Sequence, residues 1–231
     1  MMTNFKNISK SILDHIPFLK SIYYSNKLSY SQNCEDLTIL RYLNFKNGFY
    51  VDVGAYDPIS ISNTYLFYKN NWKGINIEPN VNQYNLFKKF RKRDVNLNIG
   101  ISLNEKELDY FVFDKPAYNT FSKEECDEII NDKLANLIEK RLIKTKPLSI
   151  VFKDQNIQLI DFITIDCEAL SFDALKSIDF NLVKIKLICI EESIYGYSKF
   201  EDSEIYKFMY SKGFKLVSIT GCSCIYLNKN I

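Results

Sequence analysis

A chain of 231 residues with 46% hydrophobic content can bury one sizeable α/β core, and it is too short for two large domains and a linker. Its formal charge of +2, with acids and bases interleaved, gives no field that would make nucleic acid the partner. The six cysteines contain no CxxC pair, and Cys167 and Cys189 fall inside predicted central strands, so packed, reduced thiols in the cytoplasm are expected rather than a zinc site. No apolar run approaches the roughly 18 to 20 residues of a membrane span, and Lys10, Asp14 and Lys20 interrupt any secretory signal.

Residues 1–29 read as an N-terminal amphipathic extension. Phe5, Ile8, Ile12, Leu13, Ile16, Leu19 and Ile22 recur at helical spacing, broken at Pro17, with lysines on the other face. Such a segment usually packs on its own domain, and the alternative is peripheral contact through residues 5–25 with the inner face of a membrane. The single histidine, His15, lies there and is expected to take no part in chemistry. Ser31 is the expected N-cap of the next helix, with Glu35 and Asp36 in its first turn.

From Gly48 onward strands alternate with helices, which predicts a mostly parallel seven-stranded sheet covered on both faces. The strands are expected at 48–53, 74–78, 95–101, 160–166, 186–191, 214–219 and 223–228, and the helices near 62–70, 81–92, 171–178 and 202–212. The cationic run Lys88-Lys89-Phe90-Arg91-Lys92-Arg93 falls at a helix C-terminus, where solvated cations complement the dipole. Residues 30–231 form the main domain, interrupted by an insertion at about 104–158. It reads as a strand at 106–114, a charged helix at 123–143 and a further strand or turn at 147–158. Insertions of this length beside the ligand end of a sheet commonly wall the site.

Phe49 to Val53 followed by Gly54 is a buried strand that turns sharply on a glycine, and 24 residues later a second strand ends in Ile77-Glu78-Pro79. An acid at that position hydrogen-bonds ribose hydroxyls in Rossmann-like sheets. The loop Gly54-Ala55-Tyr56-Asp57-Pro58 lacks the further glycines that seat a pyrophosphate. A nucleoside without phosphates is the expected ligand, with S-adenosylmethionine the leading candidate. Other polar groups sit at successive strand ends: Asp52, Asn98 and Gly100, Asp166 and Glu168, and Glu191 and Glu192. Tyr195 and Tyr197 follow the fifth strand, where an acceptor could stack on them.

At this point the chain resembles the FkbM family of S-adenosylmethionine-dependent methyltransferases. The matching stretches are Ser31-Gln32-x-x-Glu35-Asp36, Gly48 to Ala55, Ser62-Asn63-Thr64, Gly74 to Pro79, Asn98-Ile99-Gly100 and Asp161 to Glu168. The resemblance implies a Rossmann-like class I methyltransferase with a cofactor pocket of Asp52, Gly54, Ala55, Tyr56, Asn63, Thr64, Glu78, Pro79, Asn98, Gly100 and Asp166. It implies that Glu78 takes the ribose and that Asp166 lies nearest the transferred methyl. Two positions depart from the family pattern: Ala169 stands where glycine is common, and Ser171 where an acid is often found.

The resemblance further implies O-methylation of a sugar hydroxyl in a surface glycan. Methylation of a small natural product and a non-catalytic cofactor-binding role in a glycan assembly are the alternatives. Attack by an oxygen on the sulfonium methyl needs the acceptor positioned and its proton removed. Asp166, Glu168 and Glu192 are the candidate catalytic carboxylates. Asp166 and Glu192 could also hold Mg²⁺, whose chemistry suits carboxylate oxygens.

Overall fold

The computed structural model describes residues 29–43, 47–192 and 200–230. The amphipathic extension before residue 29, with His15, and the tyrosines at 195 and 197 lie outside the described residues.

A helix α1 (Glu35–Leu40) precedes strand β1 (Phe49–Val53), helix α2 (Tyr65–Lys69), strand β2 (Lys73–Ile77), helix α3 (Val81–Phe90) and strand β3 (Val95–Leu97). Each of the first two strands is a short apolar run with four consecutive buried residues, the pattern of a parallel strand covered on both faces. Asn80 caps α3 by accepting the Asn82 amide at 3.0 Å. After the insertion come helix α5 (Leu148–Asp154), strand β7 (Leu159–Ile165), helix α6 (Ser171–Lys176), strand β8 (Lys184–Glu191), helix α7 (Glu204–Ser211) and strands β9 (Phe214–Thr220) and β10 (Ser223–Asn228).

The main sheet has seven strands in the order β3-β2-β1-β7-β8-β10-β9. All its pairings are parallel except those of β10, which runs antiparallel to both β8 and β9. One face packs Val51, Ile75, Ile163, Ile188 and Met209 in the larger apolar core, and the other packs Tyr50, Phe67, Trp72, Phe162 and Leu187 with α1. The chain order reverses direction between β1 and β7, which lie side by side with Val53 opposite Ile165. A crevice opens at the carboxyl ends of two such strands because their connections leave on opposite sides.

Segment 100–146 forms a second, three-stranded sheet in the order β4-β6-β5, built from β4 (Gly100–Ile101), β5 (Lys106–Phe113) and β6 (Leu137–Lys146), with helix α4 (Lys123–Asn131) between the last two. Three sequence expectations are corrected here. The strand expected at 95–101 is cut at Asn98, whose side-chain amide donates to the carbonyls of Glu78 and Pro79 at 2.8 and 2.9 Å, and the chain leaves the main sheet there. The helix expected at 123–143 stops after Asn131, and Lys133 adopts a left-handed φ of 55°. Its Leu-, Glu- and Lys-rich second half becomes β6, because antiparallel pairing with β5 along its length overrides helical propensity. Residues 148–154 are a helix, with Leu148, Val151 and Phe152 buried at i, i+3 and i+4.

Two local readings also change. Cys34, not Ser31, occupies the α1 cap position; the Ser31 hydroxyl donates to the Asp36 carboxylate at 2.9 Å, so motif residues bind one another instead. Arg91 is not solvated with its lysine neighbours. It is wholly buried and paired with Asp94 at 3.0 Å.

Candidate active site

A cavity of about 520 Å³ occupies the crevice, a size suited to a small-molecule cofactor. Asp52, Gly54, Ala55 and Tyr56 line it after β1, Glu78 and Pro79 after β2, Gly100 at the crossing to the second sheet, and Asp166, Cys167, Glu168 and Glu191 at the ends of β7 and β8. Tyr110, Tyr118, Asn119 and Phe121 of the insertion form the facing wall.

Gly54 is indispensable to this arrangement. Its φ is +77°, and a Cβ placed on it would lie 1.8 Å from the Asp166 carbonyl oxygen. The Asp166 amide in turn donates to the Val53 carbonyl at 2.9 Å, so the loops after β1 and β7 are fastened backbone to backbone. Glu78 is buried and accepts the amides of Tyr56 at 2.8 Å and Asn80 at 2.7 Å, one on each carboxylate oxygen. Burial pushes its carboxyl up to about 8 against the opposing pull of these two amides. Each oxygen keeps a second lone pair, so hydroxyl donors such as those of a ribose can still be accepted.

At the other end of the cavity Asp166, Glu168 and Glu191 bring carboxylate oxygens within 4.8 Å of one another. Asp166 is exposed on the cavity side; partial desolvation by the surrounding protein and the neighbouring Glu191 and Glu168 carboxylates hold its carboxyl above the usual range. Glu168 is pushed up to about 7, first by desolvation and then by Glu191 and Glu125. Glu168 also adopts a left-handed φ of 50°. Ala169 does not, which explains why alanine is tolerated where the family pattern has glycine. The Ala169 amide donates to Glu125 of α4 at 3.1 Å, which ties the insertion to this loop. Ser171 accepts the Cys167 amide at 3.0 Å and so closes the turn in place of a carboxylate.

Three expected site residues take other positions. Glu192 points away from the cavity: successive strand residues face opposite sides, so Glu191 enters the crevice and Glu192 is buried behind it, bonded to the Ser203 hydroxyl. It therefore lies outside the cavity lining and outside the group of acids formed by Asp166, Glu168 and Glu191. Thr64 is buried beneath the cavity floor and donates to Asp52 at 2.6 Å, while its neighbour Asn63 lines the cavity and donates to Thr164 at 2.9 Å. Asn98 lies outside the lining and braces the Glu78-Pro79 turn. Sequence reasoning missed the insertion's Tyr110 and Asn119, whose placement depends on a sheet crossing that no local pattern announces.

Sheet order, switch-point cavity and the acids at its strand ends define a Rossmann-like class I methyltransferase. The methyltransferase FkbM domain model matches residues 52–216, more than two thirds of the sequence, and the chain belongs to that family of S-adenosylmethionine-dependent methyltransferases. No curated protein matches the chain in sequence. Among solved structures, the chain is similar to a methyltransferase FkbM from Methylobacillus flagellatus, at 15% identity and a TM-score of 0.45, over 78% of this chain and 43% of that one. It therefore spans less than half the length of that protein. It is also similar to M. capricolum TrmK in complex with S-adenosyl-homocysteine, at 15% identity and a TM-score of 0.44, over 88% and 69% of the two chains. A methyltransferase from Geobacter sulfurreducens is similar at 11% identity and a TM-score of 0.46, over 94% of each chain.

Proposed function

We propose that this methyltransferase transfers the S-adenosylmethionine methyl group to a hydroxyl oxygen of a glycan or glycan precursor. The observation that carries the oxygen-acceptor reading is the close approach of the Asp166 and Glu191 carboxylates, within 4.8 Å of each other, set into the cavity beside the strand end that carries Asp52 and Gly54. In this reading Glu78 accepts the ribose hydroxyls, while Asp52 and the Gly54-Ala55-Tyr56 turn face the rest of the cofactor. The acceptor oxygen attacks the methyl carbon in line, the carbon–sulfur bond breaks, and the hydroxyl proton passes to the carboxylate pair. A sugar hydroxyl is a weak nucleophile until that proton leaves, so a carboxylate held above its usual range is matched to the task.

A second reading of the same acids is a divalent cation. Three hard oxygen donors within 4.8 Å of one another fit Mg²⁺, with Asp166, Glu168 and Glu191 as its holders. A bound cation would lower the acceptor's pKa. Turnover with labelled cofactor and glycan precursors, before and after treatment with EDTA and with Mg²⁺ restored, tests both. Loss of turnover on chelation and recovery with Mg²⁺ favours the cation, and indifference favours the proton-sharing pair. Labelling of small natural products but no glycan would sink the acceptor assignment. Biological output unchanged in Asp166→Asn would favour a non-catalytic role.

A further inference from the structure

The buried cluster beneath the cavity floor is absent from any account of the site built on its lining alone. The Arg91 guanidinium is enclosed by the rings of Tyr50, Tyr65, Tyr68 and Phe87, the nearest, Tyr68, with its centroid 4.7 Å from the guanidinium carbon. Its Nε donates to Asp94 at 3.0 Å, one terminal nitrogen donates to the Pro58 carbonyl at 2.8 Å, and the other donates to Thr64 Oγ1 at 2.6 Å and to the Tyr50 hydroxyl at 3.0 Å. Thr64 Oγ1 lies 2.6 Å from Asp52 Oδ2.

The direction of that last bond is fixed by chemistry. A guanidinium has donors only, so the Thr64 hydroxyl must accept from Arg91 and turn its single proton elsewhere. Asp52 is the nearer receiver, because Ser62 Oγ lies 3.4 Å away. Asp52 Oδ2 therefore receives a hydrogen bond, and among the described residues no group donates to Oδ1, although Asp52 lines the cavity. Charge points the same way. Two acids and one base, Asp52, Asp94 and Arg91, leave the buried cluster one negative charge in excess when all are ionised. Burial, with the charge of Asp94 adding to it, raises the Asp52 carboxyl, and the Thr64 hydrogen bond and the Arg91 charge hold that rise to about 6.

We infer that Arg91, acting through Thr64, is a positioning residue that holds Asp52 as an ionised acceptor for a cationic part of the cofactor. The inference rests on the proposed reading that Asp52 faces the cofactor in this cavity. Through Pro58 the same guanidinium also anchors the loop that follows Gly54, so ligand acid and ligand loop are set by one buried cation.

Calorimetric titration of the full chain with S-adenosylhomocysteine from pH 5 to 8, with thermal melts as a folding control, tests it. Hydrogen bonds to charged groups are strong enough that Thr64→Val should weaken binding at pH 7.5 by about tenfold or more. The pH at which affinity fades on acidification should also move upward by about one pH unit. Thr64→Ser restores the hydroxyl and should bind and titrate within about threefold of wild type, an outcome a purely structural role for Arg91 does not require. Should Thr64→Val fail to fold, Arg91→Lys, which keeps a charge beside Asp94 but loses the donor to Thr64, carries the same two expectations. Wild-type affinity and pH dependence in Thr64→Val or Arg91→Lys, alongside weak binding by Asp52→Asn, would overturn the inference. Wild-type binding by Asp52→Asn would instead overturn the assignment of Asp52 to the cofactor.

Discussion

Asp166 and Glu191 stand at the ends of neighbouring parallel strands, and their carboxylate oxygens lie within 4.8 Å of each other at the head of the sheet. In the proposed mechanism Asp166 is the base, and it must lose its proton before it can take another. Turnover should therefore rise with pH along a limb centred well above the ordinary carboxylate range. Asp166→Asn should lower kcat by about a hundredfold or more while S-adenosylhomocysteine binding survives in calorimetry. Unchanged kcat in this variant would remove Asp166 from the chemistry.

The two adjacent acids at 191 and 192 should behave oppositely. Glu191→Gln removes a cavity carboxylate and should depress kcat by about tenfold or more. Glu192→Gln alters buried contacts with Ser203 and Cys224, away from the cavity, and should leave turnover near wild type while shifting thermal stability. Steady-state kinetics beside melting curves separates the two, and equal kinetic losses would contradict the alternation of β8.

Gly54→Ala should be costly twice over. The left-handed φ and the clash with the Asp166 carbonyl predict a loss of about 2 kcal/mol or more in urea unfolding. Relief of the clash must push the β7 loop outward, so kcat should fall together with stability, whereas an ordinary core defect would spare kcat in the folded fraction.

Glu78 carries a pH signature. Its carboxyl is raised from 4.5 to about 8 by burial, so the folded ligand-free protein binds its proton more tightly than the unfolded chain. That contribution is complete below the unfolded pKa and is lost as pH rises through about 8. Melting of the ligand-free protein should weaken from pH 5.5 to 8.5, and Glu78→Gln should flatten part of the slope. Glu78→Ala should also weaken S-adenosylhomocysteine binding by about tenfold or more, and wild-type affinity would refute the ribose role.

The sequence made most of the main strands legible because they are short runs rich in apolar residues closed by a turn signal, although the third stops at Leu97, and the strand-glycine pair at Val53-Gly54 marked the cavity end directly. What it hid depended on partners distant in the chain. β6 carries a helix-favouring composition and is a strand only because β5 lies beside it. Arg91 sits among solvated lysines and arginines in sequence, and only the surrounding rings and Asp94 make its burial favourable. The choice between Glu191 and Glu192 is a matter of strand phase. A one-residue uncertainty in where β8 ends reverses which acid meets the ligand.

The loops after β1 and β7 are bolted together through Val53, Gly54 and Asp166, so the proposed methyl-donor and proton-acceptor positions share one frame. The opposite wall is separate chain, residues 100–146, joined to that frame through the Glu125–Ala169 bond and the turn braced by Asn98. A lineage could thus exchange one acceptor for another by rewriting the small sheet alone, with the distance from methyl to base left untouched.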